Sequence, residues 1–205
     1  MSATLDPNAL FSISYGLYVL TARDGGRDDG CIVNTVSLVT DQPKLISVYV
    51  NKDTKTCESL RKTGLFNVSV LTQDTPFATF ERFGFQSGHD VDKFAGSREP
   101  RSENGLRYLD ANCNALISGR VTKTVDCGTH FAFFADLTES RRLSEEPSLT
   151  YAYYFEHIKP KPQPRQKRGF ICKICGYFYE GDELPPDFIC PICKHGADDF
   201  EPVGF

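Results

Sequence analysis

Two Cys-x-x-Cys pairs, Cys172/Cys175 and Cys190/Cys193, stand near the C-terminus with residues 176–189 between them. Four thiolates at this spacing can close around one tetrahedral ion, so residues 169–205 are expected to form a metal module. The ligand set admits two metals. Zinc makes a structural ribbon, whereas iron in the same four-sulfur cage makes a one-electron carrier. Which ion is held decides what the chain does.

The residues around the pairs carry more information. Gly176 and Tyr177 directly follow the first pair, Tyr179 comes two later, and Asp187-Phe188-Ile189-Cys190-Pro191 leads into the second. Over residues 169–203 this pattern resembles rubredoxin, and the resemblance implies iron at Cys172, Cys175, Cys190 and Cys193. Three features depart from it: a shorter insert between the pairs, Phe188 where rubredoxins usually carry Trp, and Lys194 where Gly is usual. The turn after the second cysteine commonly needs positive φ, which glycine adopts freely and lysine only with strain. Lys194 is therefore expected to be a tolerated outlier, relaxed by Gly196.

About 155 residues precede the module and its tether, enough for a full hydrophobic core. No apolar run approaches the roughly 18 residues of a membrane span, and none follows a basic start, so a soluble, non-exported protein is expected. The remaining cysteines, Cys31, Cys57, Cys113 and Cys127, show no paired spacing, which fits a reducing cytoplasm. Between the two parts lies a basic stretch, with Lys159, Lys161, Arg165, Lys167 and Arg168 interleaved by Pro160, Pro162 and Pro164. Such a composition favours an extended, semi-rigid spacer. The expected organisation is a domain over 1–155, a linker over 156–168 and the metal module over 169–205. A nucleic-acid-binding arm is the competing account of the basic stretch, but a net charge of −4 with no wider basic face argues against it.

Residues 1–155 contain strand-like runs at 15–22, 31–40, 45–50, 65–71, 115–122 and 130–137, where β-branched and aromatic residues sit between Gly, Asp and Pro breaks. Helices are expected to be few and short, the clearest at 56–63, ended by Gly64, and at 75–83, with Pro76 in the first turn. Many short strands at this spacing predict a mainly β fold, a small barrel. The chain has no GxGxxG or GxxxxGK[ST] pattern, the marks of a nucleotide-binding α/β domain.

The stretches 31–40, 45–56 and 64–71, followed by Glu81-Arg82-Phe83-Gly84 and by Asp126-Cys127-Gly128-Thr129-His130-Phe131, resemble in order the flavin reductase-like family. The resemblance covers most of residues 8–155 and implies an FMN-binding split barrel and a homodimer with FMN near the subunit interface. The chemistry of two stretches agrees. An isoalloxazine edge wants small polar groups against an apolar wall, and Asn34, Thr35, Val36 and Ser37 leave a strand end. A phosphate wants charge and free amides, and Asn51, Lys52, Thr54 and Thr56 lead into the expected 56–63 helix. Taken singly, the first stretch is better explained as polar punctuation at a strand end and the second as a solvated helix start; together, in the family's order, they reverse that preference in favour of the flavin. Positions similar to His130 lie near flavin and nicotinamide in the family, which implies a role in orienting NADH or NADPH. A hydrogen-bonded interior histidine is the alternative. The Gly-rich loop 84–96 reads as a lid or as a surface excursion, and His89, His157 and His195 are expected on the surface.

The combination of such a barrel with a rubredoxin-like tail resembles the high-molecular-weight rubredoxins. It implies an oxidoreductase that passes electrons from NAD(P)H through FMN to an iron–tetracysteine centre and on to an A-type flavodiiron oxygen or nitric oxide reductase. Three other functions fit the residues: release of reduced FMN to a separate monooxygenase, a non-enzymatic flavin store with a zinc ribbon, and a carrier reduced by another protein without pyridine nucleotide.

Overall fold

The computed structural model describes residue 9, residues 12–160 and residues 168–204. Strand β1 (Tyr18–Asp24) turns into β2 (Arg27–Val33) through Gly25 and Gly26. Both glycines have positive φ, 57° and 89°, as a two-residue hairpin matched to the sheet twist requires. Strands β3 (Val36–Thr40) and β4 (Leu45–Asn51) make a second hairpin, followed by helix α1 (Lys55–Thr63), strand β5 (Leu65–Leu71) and helix α2 (Phe77–Gly84). Strands β6 (Cys113–Asp126) and β7 (His130–Arg142) complete an antiparallel sheet of order β2-β1-β5-β6-β7-β4-β3.

The two edge strands of this sheet, β2 and β3, are consecutive in the chain and joined only by Asn34 and Thr35. Such a link forces the ends of the sheet together, so the sheet rolls into a barrel split along the β2–β3 seam. Leu20, Val48, Val50, Phe66, Val68 and Phe133 fill its interior. Cys57 and Leu60 of α1 join them, and the helix packs on β1 and β2. Gly64 ends α1 at φ 68° and returns its N–H to Leu60 O at 2.8 Å, the left-handed stop that glycine makes without strain. A second core lies on the outer face, built on Leu17, Val19, Leu71, Phe80, Phe83 and Leu149.

Helix α2 starts later than expected. Pro76 lies outside it, as an extended cap with ψ 151°, instead of within the first turn. The loop expected as a lid belongs to a longer excursion, residues 85–112, without helix or strand, and it is fastened down. Lys93 is buried and donates to Gly30 O (2.7 Å) and Phe83 O (3.3 Å). Arg27 donates to Gly88 O and Val91 O, and Arg101 grips buried Asp28 at 2.9 Å. Asn67 donates to Ser102, Leu106 O and Arg107 O. Anchored in this way, the loop is the packed surface excursion of the two accounts.

A short turn, Tyr151–Tyr153, widens into a π-helix, Tyr154–Ile158. Tyr154 is buried in the second core and Ile158 packs against it, so the barrel's packed structure continues past residue 155. Of the expected linker, residues 161–167 lie outside the described residues. The metal module is a three-stranded sheet of order β10-β8-β9, from β8 (Gly169–Cys172), β9 (Phe178–Glu180) and β10 (Phe200–Val203). Phe170, Tyr177, Tyr179, Leu184 and Phe188 surround its cysteines.

Gly119 on β6 faces Phe66, which has no exposed surface; a Cβ on Gly119 would lie 2.4 Å from the end of that ring. Gly119→Ala should therefore overpack the barrel and cost about 1–3 kcal/mol of stability in urea unfolding. An unchanged midpoint would mean that Phe66 has room to turn aside.

Candidate functional site

The two cysteine pairs sit on matching turns. Gly176 N donates to Cys172 O at 2.8 Å and Lys194 N donates to Cys190 O at 3.0 Å. The residue after each pair takes the left-handed conformation, Gly176 at φ 79° and Lys194 at φ 63°. Lysine is strained there by about 1–2 kcal/mol relative to the right-handed region. Gly196 does not share that geometry, since its φ of −79° and ψ of 179° are extended backbone open to any residue.

The four Sγ atoms lie within 4.8 Å of one another, with Cys172···Cys193 and Cys175···Cys190 at 3.5 Å. A tetrahedron with metal–sulfur arms of ~2.3 Å has sulfur–sulfur edges of ~3.8 Å, so the cage fits one ion. The hydrogen bond from Cys193 lowers Cys175 to about 5, and the same contact pushes Cys193 up. A bound metal would take the place of the thiol protons. Cys172 and Cys190 are buried, whereas Cys175 and Cys193 are half-buried.

On the barrel, Asn34 and Thr35 occupy the seam. Thr35 Oγ1 donates to Asn34 Oδ1 (3.0 Å) and Thr35 O accepts from Tyr49 N (3.2 Å), which leaves the stretch half-buried and polar. Val36 and Ser37 open β3, Val36 packing on the barrel core and Ser37 exposed. Asn51 ends β4 opposite His130 on β7, and its Oδ1 accepts from Asp53 N at 2.9 Å. Thr54 caps α1, accepting from Cys57 N at 3.1 Å. Thr56 points away from these residues. It has no exposed surface and donates to Oδ2 of buried Asp29 at 2.6 Å, so its side chain is not free to meet a phosphate.

A cleft of about 450 Å³ opens beside the start of α1, lined by Lys52, Thr54, Cys57, Arg61, His89 and Phe131 among others. Lys52 Nζ and the Arg61 guanidinium both lie 4.6 Å from the Phe131 ring centre. Lys52 also meets Asp126 at 2.5 Å. Asp53 and Glu58 line the same cleft, so its cations are balanced by carboxylates, and Lys52 and Arg61 over the Phe131 ring are its candidate anion donors. Arg61, His89 and Phe131 are additions to the expected set. Arg61 follows Cys57 by four residues on one helix face, a signal present in the sequence; His89 is exposed, as expected, but reaches the cleft from the distant excursion.

His130 begins β7 and is exposed, so it is not an interior histidine. Its Nδ1 lies 2.9 Å from Thr129 Oγ1, within hydrogen-bond distance. Partial desolvation lowers its pKa, Asp53 opposes that, and His195 of the metal module adds to it.

Residues 10–161 match the model of the flavin reductase like domain, and residues 170–201 match that of the rubrerythrin, rubredoxin-like domain. The chain is 35% identical, over 97% of its length and all of the relative's, to the high molecular weight rubredoxin of Moorella thermoacetica. It is 36% identical to the ferric-chelate reductase (NAD(P)H) of Archaeoglobus fulgidus, over 77% of this chain and 92% of that one. In fold it is similar to an FMN-binding protein from Thermus thermophilus, with a TM-score of 0.64 at 18% identity, over 74% of this chain and 89% of that chain.

Lys194→Gly should relieve the left-handed strain and slow loss of metal to a chelator, a gain of about 1 kcal/mol; faster loss would show that the lysine side chain supports the turn. Lys52→Ala should weaken FMN binding about ten- to a hundredfold, the worth of a charged hydrogen bond, in titrations of apoprotein. Lys123→Ala serves as control. Equal affinities in wild type and both variants would remove the phosphate from this cleft.

Proposed function

The chain belongs to the flavin reductase-like family, in the form that carries a rubredoxin-like domain behind the barrel, and from this we propose that it transfers electrons from NAD(P)H through FMN to an iron–tetracysteine centre and on to a protein acceptor. It is an NAD(P)H oxidoreductase with a flavin domain and a four-cysteine iron site. When bound, flavin supplies hydride acceptance and iron supplies one-electron exchange.

The residues divide the remaining tasks. Asn34, Thr35, Val36 and Ser37 border the seam and meet the polar edge of the ring. Lys52 and Arg61, with the unpaired amides at the start of α1, hold the phosphate. Asn51 and Thr54 shape the turn into that helix. Thr56 supports it from below through Asp29. His130, neutral near pH 7 because its pKa is lowered, offers a ring nitrogen at the mouth of the cleft to orient the nicotinamide.

One observation supports the transfer most. Lys159, at the end of the π-helix that packs on the barrel, donates from Nζ to Lys173 O at 2.5 Å, between Cys172 and Ile174. The first cysteine turn therefore touches the barrel's own structure, which suits electron passage within one molecule. The acceptor we infer is a flavodiiron-type reductase, as the likeness to high-molecular-weight rubredoxins implies. A second copy of the chain is the proposed cover for Leu38 and Val39, 59% and 43% exposed on edge strand β3. Among the described residues no helix is long and apolar enough to cross a membrane. Four unpaired cysteines outside the metal site suit a reducing cytoplasm.

Protein from iron-replete medium should contain about one iron per chain and show flavin and ferric–thiolate absorption, the latter bleached by dithionite. Stoichiometric zinc with negligible iron would end the carrier role and favour the zinc ribbon. Loss of flavin on gel filtration would favour release of reduced FMN to a monooxygenase.

A further inference from the structure

We propose that Lys159, at the end of the barrel's π-helix, is a positioning residue for the metal module, holding the first cysteine turn by a hydrogen bond and favouring the reduced state of the iron by its charge. The inference rests on the iron-carrier function proposed above and assigns a role to a residue outside both sites.

The contact begins in the backbone. Lys159 N donates to Tyr154 O at 2.8 Å, closing the last wide turn, after which the chain becomes extended at ψ 125°. The side chain leaves that turn over Phe155, whose ring centre lies 4.6 Å from Nζ. Nζ then donates to Lys173 O at 2.5 Å, the carbonyl between Cys172 and Ile174 in the first cysteine turn. Lys173 is itself fixed: its N donates to Asp199 O at 2.8 Å and its Nζ donates to Asp198 O at 2.9 Å. One ammonium group thus ties the barrel's last helical turn to a rigid part of the metal module.

The charge of that group has a second effect. Burial lowers the pKa of Lys159, and Cys172, Cys175, Cys193 and Glu201 act against the loss of its proton, so its field reaches three of the four thiolates. Beside it on the same turn, burial raises the pKa values of Tyr151 and Tyr154, so both phenols are neutral. A cation half out of water is screened less than one at the surface.

An iron held by the four cysteines would become more negative by one charge on gaining an electron, with no proton and no bond made or broken. Attraction to Lys159 would then be stronger in the reduced than in the oxidised state, so the lysine would raise the reduction potential of the site. Linkage requires the converse, that reduction tightens the clasp.

The test is spectroelectrochemical titration of the iron band in full-length wild type, Lys159→Met, Lys159→Gln, Lys159→Arg and the distant control Lys44→Met. Lys159→Met and Lys159→Gln should shift the reduction equilibrium toward the oxidised state by up to about tenfold, or ~59 mV for a one-electron couple. Lys159→Arg should keep most of the wild-type potential and Lys44→Met all of it. Iron bound in every variant at one common potential would overturn the role of Lys159 while leaving the carrier function intact. Absence of iron from the wild type would overturn the carrier function, and the inference with it.

Discussion

A seven-stranded antiparallel sheet whose edge strands are joined by two residues cannot lie open, and the rest of the barrel follows from that constraint. Closure brings β2 and β3 together at Asn34 and Thr35 and buries the inward side chains of β1, β4, β5 and β7. The antiparallel pairing of β4 with β7 sets the end of β4 beside the start of β7, where Asn51 pairs with His130 and Lys52 N reaches Thr129 O at 3.0 Å. Helix α1 starts from that corner with its unpaired amides outward. Charge, free donors and an aromatic floor therefore gather at one point without any of them being neighbours of the seam in sequence.

The metal module obeys a different constraint. Its small sheet has little apolar surface, and its cysteines occupy the middle of its core beside Phe188, Tyr179 and Phe200. A four-thiolate cage asks for local spacing and a turn after each pair, so nearly everything about it was legible in the sequence. Even the left-handed conformation of Lys194 could be anticipated, because the need for positive φ belongs to the turn. The supposed help from Gly196 could not be tested by spacing alone, and its extended backbone gives none.

In the barrel, strand positions and α1 were legible from alternation and from Gly64, but ends and partners were not. Strands β6 and β7 run on to Asp126 and Arg142, where exposed polar residues such as Lys123 and Glu145's partner Arg142 interrupt any apolar pattern; hydrogen bonding between the two strands sustains the ladder there. Thr56 read as a phosphate ligand because its buried partner, Asp29, lies on β2, far from it in sequence. His89 looked incidental for the same reason, since only the anchoring of the 85–112 excursion by Lys93 and Arg27 carries it to the cleft. Residues that meet through tertiary packing leave no periodic trace.

The central claim is that two-electron and one-electron chemistry are joined within one molecule, with the Lys159 contact holding the first cysteine turn against the end of the barrel's π-helix. Anaerobic stopped-flow mixing with saturating NADH or NADPH, following the flavin and iron bands together, tests it most directly. The account predicts that the flavin band falls first and the iron band follows at a rate independent of protein concentration. An iron band that does not bleach, or that bleaches in proportion to protein concentration, would contradict it.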